Sequence, residues 1–146
     1  MNDKSPERPK IGIGVIIIND DNRILIGKRK GSHAQCYSIP GGHLELGETF
    51  EKAAIKEIRE ETSLELVNPK VFSVTNNLNT YRTENKHYIS ICLIATEYSG
   101  NPKIMEPNKC ESWQWCDPEN LPLPHFDASF QAVQCYLQNK FYIKNQ

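Results

Sequence analysis

Residues 41–64 read GGHLELGETFEKAAIKEIREETSL, and this stretch decides the fold of the chain. Its two glycines predict a turn, and apolar residues at helical spacing predict a helix from about Thr49 to Thr62. Three carboxylates near the end of that helix, Glu57, Glu60 and Glu61, are spaced i, i+3, i+4 and therefore share one face. Like charges held together repel, and a hard cation such as Mg²⁺ or Mn²⁺ relieves that repulsion. The stretch predicts a divalent-metal site beside a glycine turn.

An acidic stripe on a solvated helix face is the alternative interpretation, because Glu is a good helix former. The apolar positions of the same helix weigh against it. Phe50 and Ala54 are expected to face the core. Glu57 and Glu61 lie seven residues after them, and therefore nearly in line with them on the helix. Carboxylates on an inward face need a partner. The helix therefore favours a binding role for its acidic end.

The spacing of this stretch resembles the signature of the Nudix hydrolases, enzymes that cleave a nucleoside diphosphate linked to another moiety. Gly42, Glu48 and the glutamates of the helix stand where that signature requires them. Two positions depart from it, since Lys56 replaces an Arg and Ser63 replaces a Gly. We expect Lys56 to pair with Glu48 as a point charge instead of a two-pronged fork. Ser63 in a left-handed helix end costs on the order of 1 kcal/mol.

The resemblance implies roles for the residues of the signature. Glu60 and Glu61 would be ligands of Mg²⁺ or Mn²⁺, with the Gly41 carbonyl completing part of the shell. Glu57 would be the general base or a further ligand, and members of the family differ in which glutamate takes the base role. Gly42, without a side chain, lets the backbone approach phosphate and metal closely.

Charged residues outside the signature have implied roles as well. Arg29 lies just after the second predicted strand, where an Arg in similar enzymes reaches the phosphates. A further acidic ligand would come from a downstream loop, and Glu106 and Glu111 are the candidates, with Glu106 preferred. Exposure to solvent without a function is the alternative for both glutamates.

A nucleobase needs a flat apolar wall and a few hydrogen-bond partners. Asn77, His87 and the loop around Leu123 are the candidates for these contacts, although His87 also fits a partly buried strand residue with a satisfied ring. Trp113 and Trp115 are two apart on a predicted strand and face the same side. We interpret them as core or dimer-contact residues instead of a stacking platform.

Further segments resemble the small MutT-type nucleotide diphosphatases of plants and animals, so that the resemblance covers most of residues 11–124. They are residues 27–32, 39–45, 74–77, 87–88, 105–107 and 111–115. Those relatives hydrolyse nucleoside triphosphates, including oxidised purine deoxynucleotides such as 8-oxo-dGTP, to the monophosphate and pyrophosphate. The resemblance therefore implies a nucleoside triphosphate diphosphatase with a small nucleotide substrate, and it is compatible with a homodimer.

Two other functions stay open. Some plant relatives act on prenyl diphosphates, and an apolar pocket around Phe126 would hold such a tail. A nucleotide-binding module that has lost catalysis is the second, and the departures at Lys56 and Ser63 are the only hints of it.

Composition limits the class of protein further. The chain has 146 residues, a formal net charge of −1 and five cysteines without a C-x-x-C pair. A balanced charge argues against nonspecific binding to nucleic acid or membrane, and the apolar run at 11–18 is too short to span a bilayer. An odd number of unpaired cysteines fits a cytoplasmic protein, with zinc at Cys110 and Cys116 as a minor alternative. We expect one domain over residues 10–146 behind a flexible tail at 1–9.

The order of predicted elements gives the architecture. Strands, a helix, more strands and a final helix predict a mixed α/β sandwich, and the resemblance implies the Nudix fold, with a mixed β-sheet between helices. Polar segments at 76–86 and 100–109 are predicted loops. Strands are predicted at 11–18, 23–27, 36–39, 66–74, 88–98 and 111–115, with the second strand as hairpin partner of the first, and the final helix at 127–141.

Overall fold

A computed structural model describes residues 6–31 and 35–144 of the chain. Within these ranges the elements are β1 Lys10–Ile17, β2 Ile24–Arg29, β3 Tyr37–Ser38, β4 Gly41–His43, α1 Phe50–Thr62, β5 Glu65–Val67, β6 Lys70–Asn76, α2 Leu78–Glu84, β7 Tyr88–Ala95, β8 Glu97–Ser99, β9 Cys110–Cys116 and α3 Asp127–Gln138.

Nine strands of the described ranges form three sheets. The largest has the order β4-β1-β7-β6, in which β1 and β7 run parallel and the other pairs antiparallel. A second sheet has the order β3-β2-β9, and β5 pairs with β8 in a third. The predicted α/β class with a mixed sheet is confirmed.

Strand β1 places the largest sheet between two helices. Ile13 and Val15 pack with Ala53, Ala54 and Ile58 of α1 in one core. Ile16, on the other face of the strand, packs in a second core with residues of α3. Alternation along a strand sends successive side chains to opposite faces, and a run of aliphatic residues therefore serves both cores. The predicted sheet between helices is confirmed.

Helix α1 begins and ends close to the predicted positions. Thr49 caps it, and its hydroxyl accepts the Lys52 N–H at 3.1 Å. Ser63 ends it with φ 64° and ψ 3°, and the Ser63 N–H donates to the Arg59 carbonyl at 3.0 Å. The left-handed conformation expected for a glycine is therefore kept with a serine in its place.

Two predictions about the connecting segments were wrong. Gly41 and Gly42 form the short strand β4 instead of a turn, because both pair with β1 and Gly41, without a side chain, fits against the β1 backbone. The predicted loop at 76–86 contains α2, which Asn85 ends in a left-handed conformation at φ 57°. A polar helix of seven residues has too short an apolar stripe to be recognised by its periodicity.

The bounds of two strands and of helix α3 also differ from the predictions, and so does the pairing of β2. The strands predicted at 66–74 and 88–98 are each broken, the first at Asn68 with φ 53°. Strand β2 is linked to the first strand by an isolated antiparallel bridge between Ile18 and Ile24, and its ladders are formed with β3 and β9. Helix α3 ends at Gln138, before the predicted 141. The Phe141 carbonyl then accepts the Val74 N–H at 3.0 Å.

The remaining predictions concern the termini, the thiols and the membrane. Residues 1–5 of the predicted tail and Ser32 of segment 27–32 lie outside the described residues, and residues 6–9 have no regular structure. All five cysteines carry free thiols. No helix in the described ranges has the length and apolar character needed to cross a bilayer.

Candidate active site

Strand β4 brings the start of the signature against the acidic end of α1. A Cβ atom on Gly42 would lie 2.8 Å from Cγ of Glu57 and closer still to its carboxyl group. A Cβ on Gly41 would overlap the Ile13 carbonyl oxygen of β1. Both positions therefore exclude a side chain, Gly41 to pair with β1 and Gly42 to admit the Glu57 carboxylate.

Glu61 is tied to β4 through the backbone. Its Oε2 accepts the N–H of Gly41 at 3.1 Å. Burial raises the pKa of Glu61 to about 8, and the charges of Glu57 and Glu106 act in the same direction. The Gly41 N–H and the positive charge of Arg29 act against that rise. Glu61 is therefore a partly buried carboxylate among other carboxylates, with one backbone donor and one cation beside it.

Glu57 shares this environment. Its pKa is raised, first by burial and then by the charge of Glu60, with smaller contributions from Glu106 and Glu48. Lys56 opposes the rise. Glu60 itself is exposed at the surface of the helix. The structure thus brings the predicted helix carboxylates into one region of mutual repulsion.

The downstream loop adds Glu106 to this region. The Glu106 carbonyl accepts the N–H groups of Lys109 and Cys110, which closes a turn, and its carboxylate lies 3.7 Å from Lys109 Nζ. Glu111 instead pairs with Lys28, with 3.0 Å between the charged atoms. The charge of Glu106 contributes to the raised pKa of both Glu57 and Glu61, so Glu106 is the better supported of the two candidate ligands.

The donor set fits a hard divalent cation in its chemistry. Partly buried carboxylates that raise one another's pKa gain from a neutralising charge, and oxygen atoms are the ligands that Mg²⁺ and Mn²⁺ prefer. Within residues 6–31 and 35–144, no three His, Cys, Asp or Glu side chains are already gathered as a metal-binding group. The carboxylates are therefore neighbours that would have to turn inward around an ion. The same finding gives no support to zinc at Cys110 and Cys116.

Arg29, the last residue of β2, points its charge at this region. Its guanidinium lies 4.9 Å from the centre of the Phe126 ring, a distance at which cation and ring attract. Its charge also lowers the pKa of Glu61. The ring therefore favours a position of the Arg29 guanidinium from which its charge acts on Glu61.

The predicted partner of Lys56 is confirmed. Lys56 Nζ lies 2.8 Å from Oε2 of Glu48, and the other oxygen, Oε1, accepts the Glu45 N–H at 2.8 Å. The two glutamate oxygens therefore have different partners, which is the arrangement expected of a point charge. The pair fastens the loop before α1 to the middle of the helix.

The residues predicted to meet the base have different surroundings. Asn77 is 1% exposed, its Nδ2 donates to Ser90 Oγ at 2.8 Å, and its Oδ1 is buried without a partner. His87 Nε2 lies 2.7 Å from Asn76 Oδ1, while Leu123 is 78% exposed.

The two tryptophans pack against the core beside α1. Packing of Trp113 and Trp115 against the core is confirmed, and the alternative of a dimer contact stays a prediction. A Cβ on Gly27 would overlap the Trp113 ring, which shows how closely the neighbouring strand approaches it.

Three further residues lie near the site, and of these the sequence pointed only to Phe126, as part of an apolar pocket. Phe126 lies under Arg29. Ser129 Oγ accepts the Ile39 N–H at 2.9 Å across 90 positions of sequence, and His125 adjoins Ser129. Only the tertiary fold brings His125 and Ser129 to the segment before β4, so neither spacing nor composition could identify these two residues.

Comparison with known proteins agrees with this geometry. The NUDIX domain model matches residues 8–134. An ADP-ribose pyrophosphatase of Methanocaldococcus jannaschii is 39% identical over 129 residues, which are 85% of this chain and 71% of the relative. An RNA pyrophosphohydrolase of Pelagibacter ubique is 26% identical over 135 residues, 83% of this chain and 85% of the relative. The crystal structure of a MutT NUDIX hydrolase from Burkholderia pseudomallei has a TM-score of 0.79 and 30% identity, covering 88% of this chain and 98% of that one. A family model that spans most of the chain, together with the helix carboxylates beside β4, shows that the chain belongs to the Nudix family of hydrolases.

Proposed function

We propose that this chain is a metal-dependent pyrophosphohydrolase that cleaves nucleoside triphosphates, oxidised purine deoxynucleotides among them, to the monophosphate and pyrophosphate. One observation carries the proposal. Glu57 and Glu61 of α1 lie beside β4, where burial raises the pKa of both carboxylates and the charge of Glu106 adds to the rise. Perturbed carboxylates that cluster at a glycine-rich backbone are typical of a functional site.

The residues of the cluster have distinct tasks in this proposal. Glu60, Glu61 and the Gly41 carbonyl would hold Mg²⁺ or Mn²⁺, with Glu106 as a further ligand. Such an ion, when bound, neutralises phosphate charge and makes a bound water more acidic. Glu57 takes the proton from the attacking water, and its raised pKa brings it closer to the range in which a general base works best.

The phosphate chain is assigned to Arg29. A guanidinium gives two parallel hydrogen bonds to phosphate oxygens, and the Phe126 ring keeps it in place. As the water oxygen bonds to phosphorus, the bond to the bridging oxygen breaks and pyrophosphate leaves. Arg29 stabilises charge on the oxygens throughout this step.

The nucleoside end is assigned to the region of Asn77, His87 and Leu123. Asn77 is buried against Ser90, so its effect on a ligand passes through the Ser90 hydroxyl. Leu123 is exposed and offers an apolar contact to a base. His87 already has Asn76 as a partner and contributes its ring face.

A nucleoside diphosphate sugar is the second candidate substrate, because the relative with 39% identity is named an ADP-ribose pyrophosphatase. The products separate the two candidates. A triphosphate cleaved as proposed releases free pyrophosphate. ADP-ribose cleaved at its pyrophosphate linkage gives two monophosphates and no free pyrophosphate. Geranyl diphosphate tests the apolar alternative, and tight nucleotide binding without any product would identify a non-catalytic module.

The experiment is a product analysis with Mg²⁺ or Mn²⁺ on dGTP, 8-oxo-dGTP, ADP-ribose and geranyl diphosphate. Wild type is compared with Glu60→Gln and Glu61→Gln. Glu51→Gln is the matched control, since Glu51 is an exposed glutamate in the first turn of the same helix. We expect the first two variants to lose at least about 10²–10³-fold in turnover while keeping the wild-type Tm or exceeding it, and Glu51→Gln to keep its activity. Full turnover by both Glu60→Gln and Glu61→Gln would refute the metal-site assignment.

A further inference from the structure

The carboxylate of Glu61 has two neighbours that oppose its repulsion from the other glutamates, the Gly41 N–H and Arg29. One segment far away in sequence contacts the surroundings of both: Ser129 accepts the N–H of Ile39, two residues before Gly41, and the Phe126 ring lies against Arg29. We propose that residues 125–129 position the Glu61 carboxylate by two routes. Ser129 acts on the backbone that leads to Gly41, and Phe126 acts on the guanidinium of Arg29. The inference rests on the proposed function, in which Glu61 is a ligand of the metal ion.

The first connection runs through the backbone before β4. Ser129 Oγ accepts the N–H of Ile39 at 2.9 Å, and Ser129 is 4% exposed. Pro40 follows Ile39, and its ring fixes φ, while its carbonyl accepts the Val15 N–H at 3.0 Å. Gly41 comes next and donates to Glu61. The Ser129 hydroxyl therefore fixes the start of a stiff connection that ends at the donor of Glu61.

His125 fixes the direction of that hydroxyl. Its Nδ1 lies 3.2 Å from the Pro122 carbonyl, and its Nε2 lies 2.7 Å from Ser129 Oγ. A carbonyl can only accept, so Nδ1 is assigned the hydrogen and the neutral ring accepts at Nε2. Ser129 therefore donates to His125 and accepts from Ile39, and rotation of the hydroxyl would break a hydrogen bond in a buried place.

The second connection runs through the aromatic ring. The Phe126 N–H donates to the Tyr37 carbonyl at 2.8 Å, and the Tyr37 N–H donates to the Pro124 carbonyl at 2.9 Å. These bonds fasten the segment to β3. The Phe126 ring then faces the Arg29 guanidinium at 4.9 Å. Loss of the ring would free Arg29 to turn away from Glu61.

Ser129→Ala removes the acceptor of Ile39 and leaves a buried N–H unpaired, so that the connection to Gly41 shifts. Displacement of a catalytic group by about 1 Å costs roughly 10²-fold, and we expect kcat to fall by at least about tenfold with KM changed less than threefold. Affinity for Mn²⁺ should fall by at least about fivefold. Ser129→Thr keeps the hydroxyl and restores both quantities.

Cys135→Ala is the matched control, because it also removes one heavy atom from a fully buried position of α3. It should keep wild-type kcat and Mn²⁺ affinity at a comparable loss of Tm. Phe126→Leu should lower kcat in the same way as Ser129→Ala, whereas Phe126→Tyr keeps a ring under Arg29 and should not. This second pair decides the proposal if Ser129→Ala does not fold.

A readout on the metal-free protein separates this inference from the proposed function. In ¹⁵N–¹H spectra, Ser129→Ala should shift the amide signals of Ile39 and Gly41 and speed their hydrogen exchange by at least about tenfold, and Cys135→Ala should not. If the product screen finds no substrate, this readout and Mn²⁺ affinity still decide the inference. Wild-type Gly41 exchange and wild-type Mn²⁺ affinity in Ser129→Ala would overturn it.

Discussion

Gly42→Ala should disable the enzyme by moving one side chain while leaving the fold in place. The new Cβ would lie 2.8 Å from Glu57 Cγ and closer to the carboxyl carbon and Oε2. The atoms in conflict are the far end of a flexible side chain, and no backbone atom is among the three nearest. Glu57 therefore has to swing away from β4, while α1 keeps its position.

The size of the effect follows from that overlap. Carbon atoms make ordinary contact from about 3.5 Å, so the carboxyl group withdraws by about 1 Å, for which roughly a hundredfold loss in kcat is expected. This corresponds to about 2.7 kcal/mol of barrier. The altered rotamer costs about 0.5–1.5 kcal/mol, and Ala restricts the unfolded chain by about 0.4–1 kcal/mol in the opposite direction. Tm should therefore stay within about 3 °C of wild type.

The assay is steady-state product release together with thermal unfolding. Gly41→Ala is the contrast, because its Cβ meets the Ile13 backbone, and it should lower Tm by several degrees. A double-mutant cycle with Glu57→Gln identifies the route, since two changes that act on the same carboxylate are not additive. A further hundredfold loss from Gly42→Ala in the Glu57→Gln background, or wild-type kcat in the single variant, would refute the reasoning.

Three further predictions concern stability. Ser63→Gly relieves the left-handed helix end at φ 64° and should raise Tm by about 2–4 °C, with a smaller gain from Asn139→Gly because Asn tolerates φ 52° better. Burial lowers the pKa of His125 from its ordinary 6.5, so the native state binds fewer protons and stability falls as pH drops below 6.5. His125→Gln should flatten that slope in urea titrations from pH 7 to 5. Because the pKa of Glu61 is raised from 4.5 to about 8, its ionisation opposes folding as pH rises through that range, and Glu61→Gln should raise the metal-free Tm at pH 8 but not at pH 4.5.

The sequence predicted the features that depend on local spacing. Helix α1 and the Lys56–Glu48 pair both lie within one short stretch, and both are present. The glycines of β4 were misread as a turn, because their fit depends on the backbone of β1, nearly thirty residues away in sequence. Helix α2 was missed because seven mostly polar residues are too few to show a periodic apolar stripe.

Long-range contacts explain why a signature alone does not define a working site. Spacing along α1 sets the distance between Glu57 and Glu61, but it sets neither the Gly41 donor nor the Arg29 charge, which come from other strands. Carboxylates that repel one another keep a productive arrangement only where fixed neighbours oppose the repulsion. If Ser129 positions Glu61 as we propose, a change at Ser129 would lower activity in this chain with all its glutamates in place, and a comparison confined to the signature would not detect it.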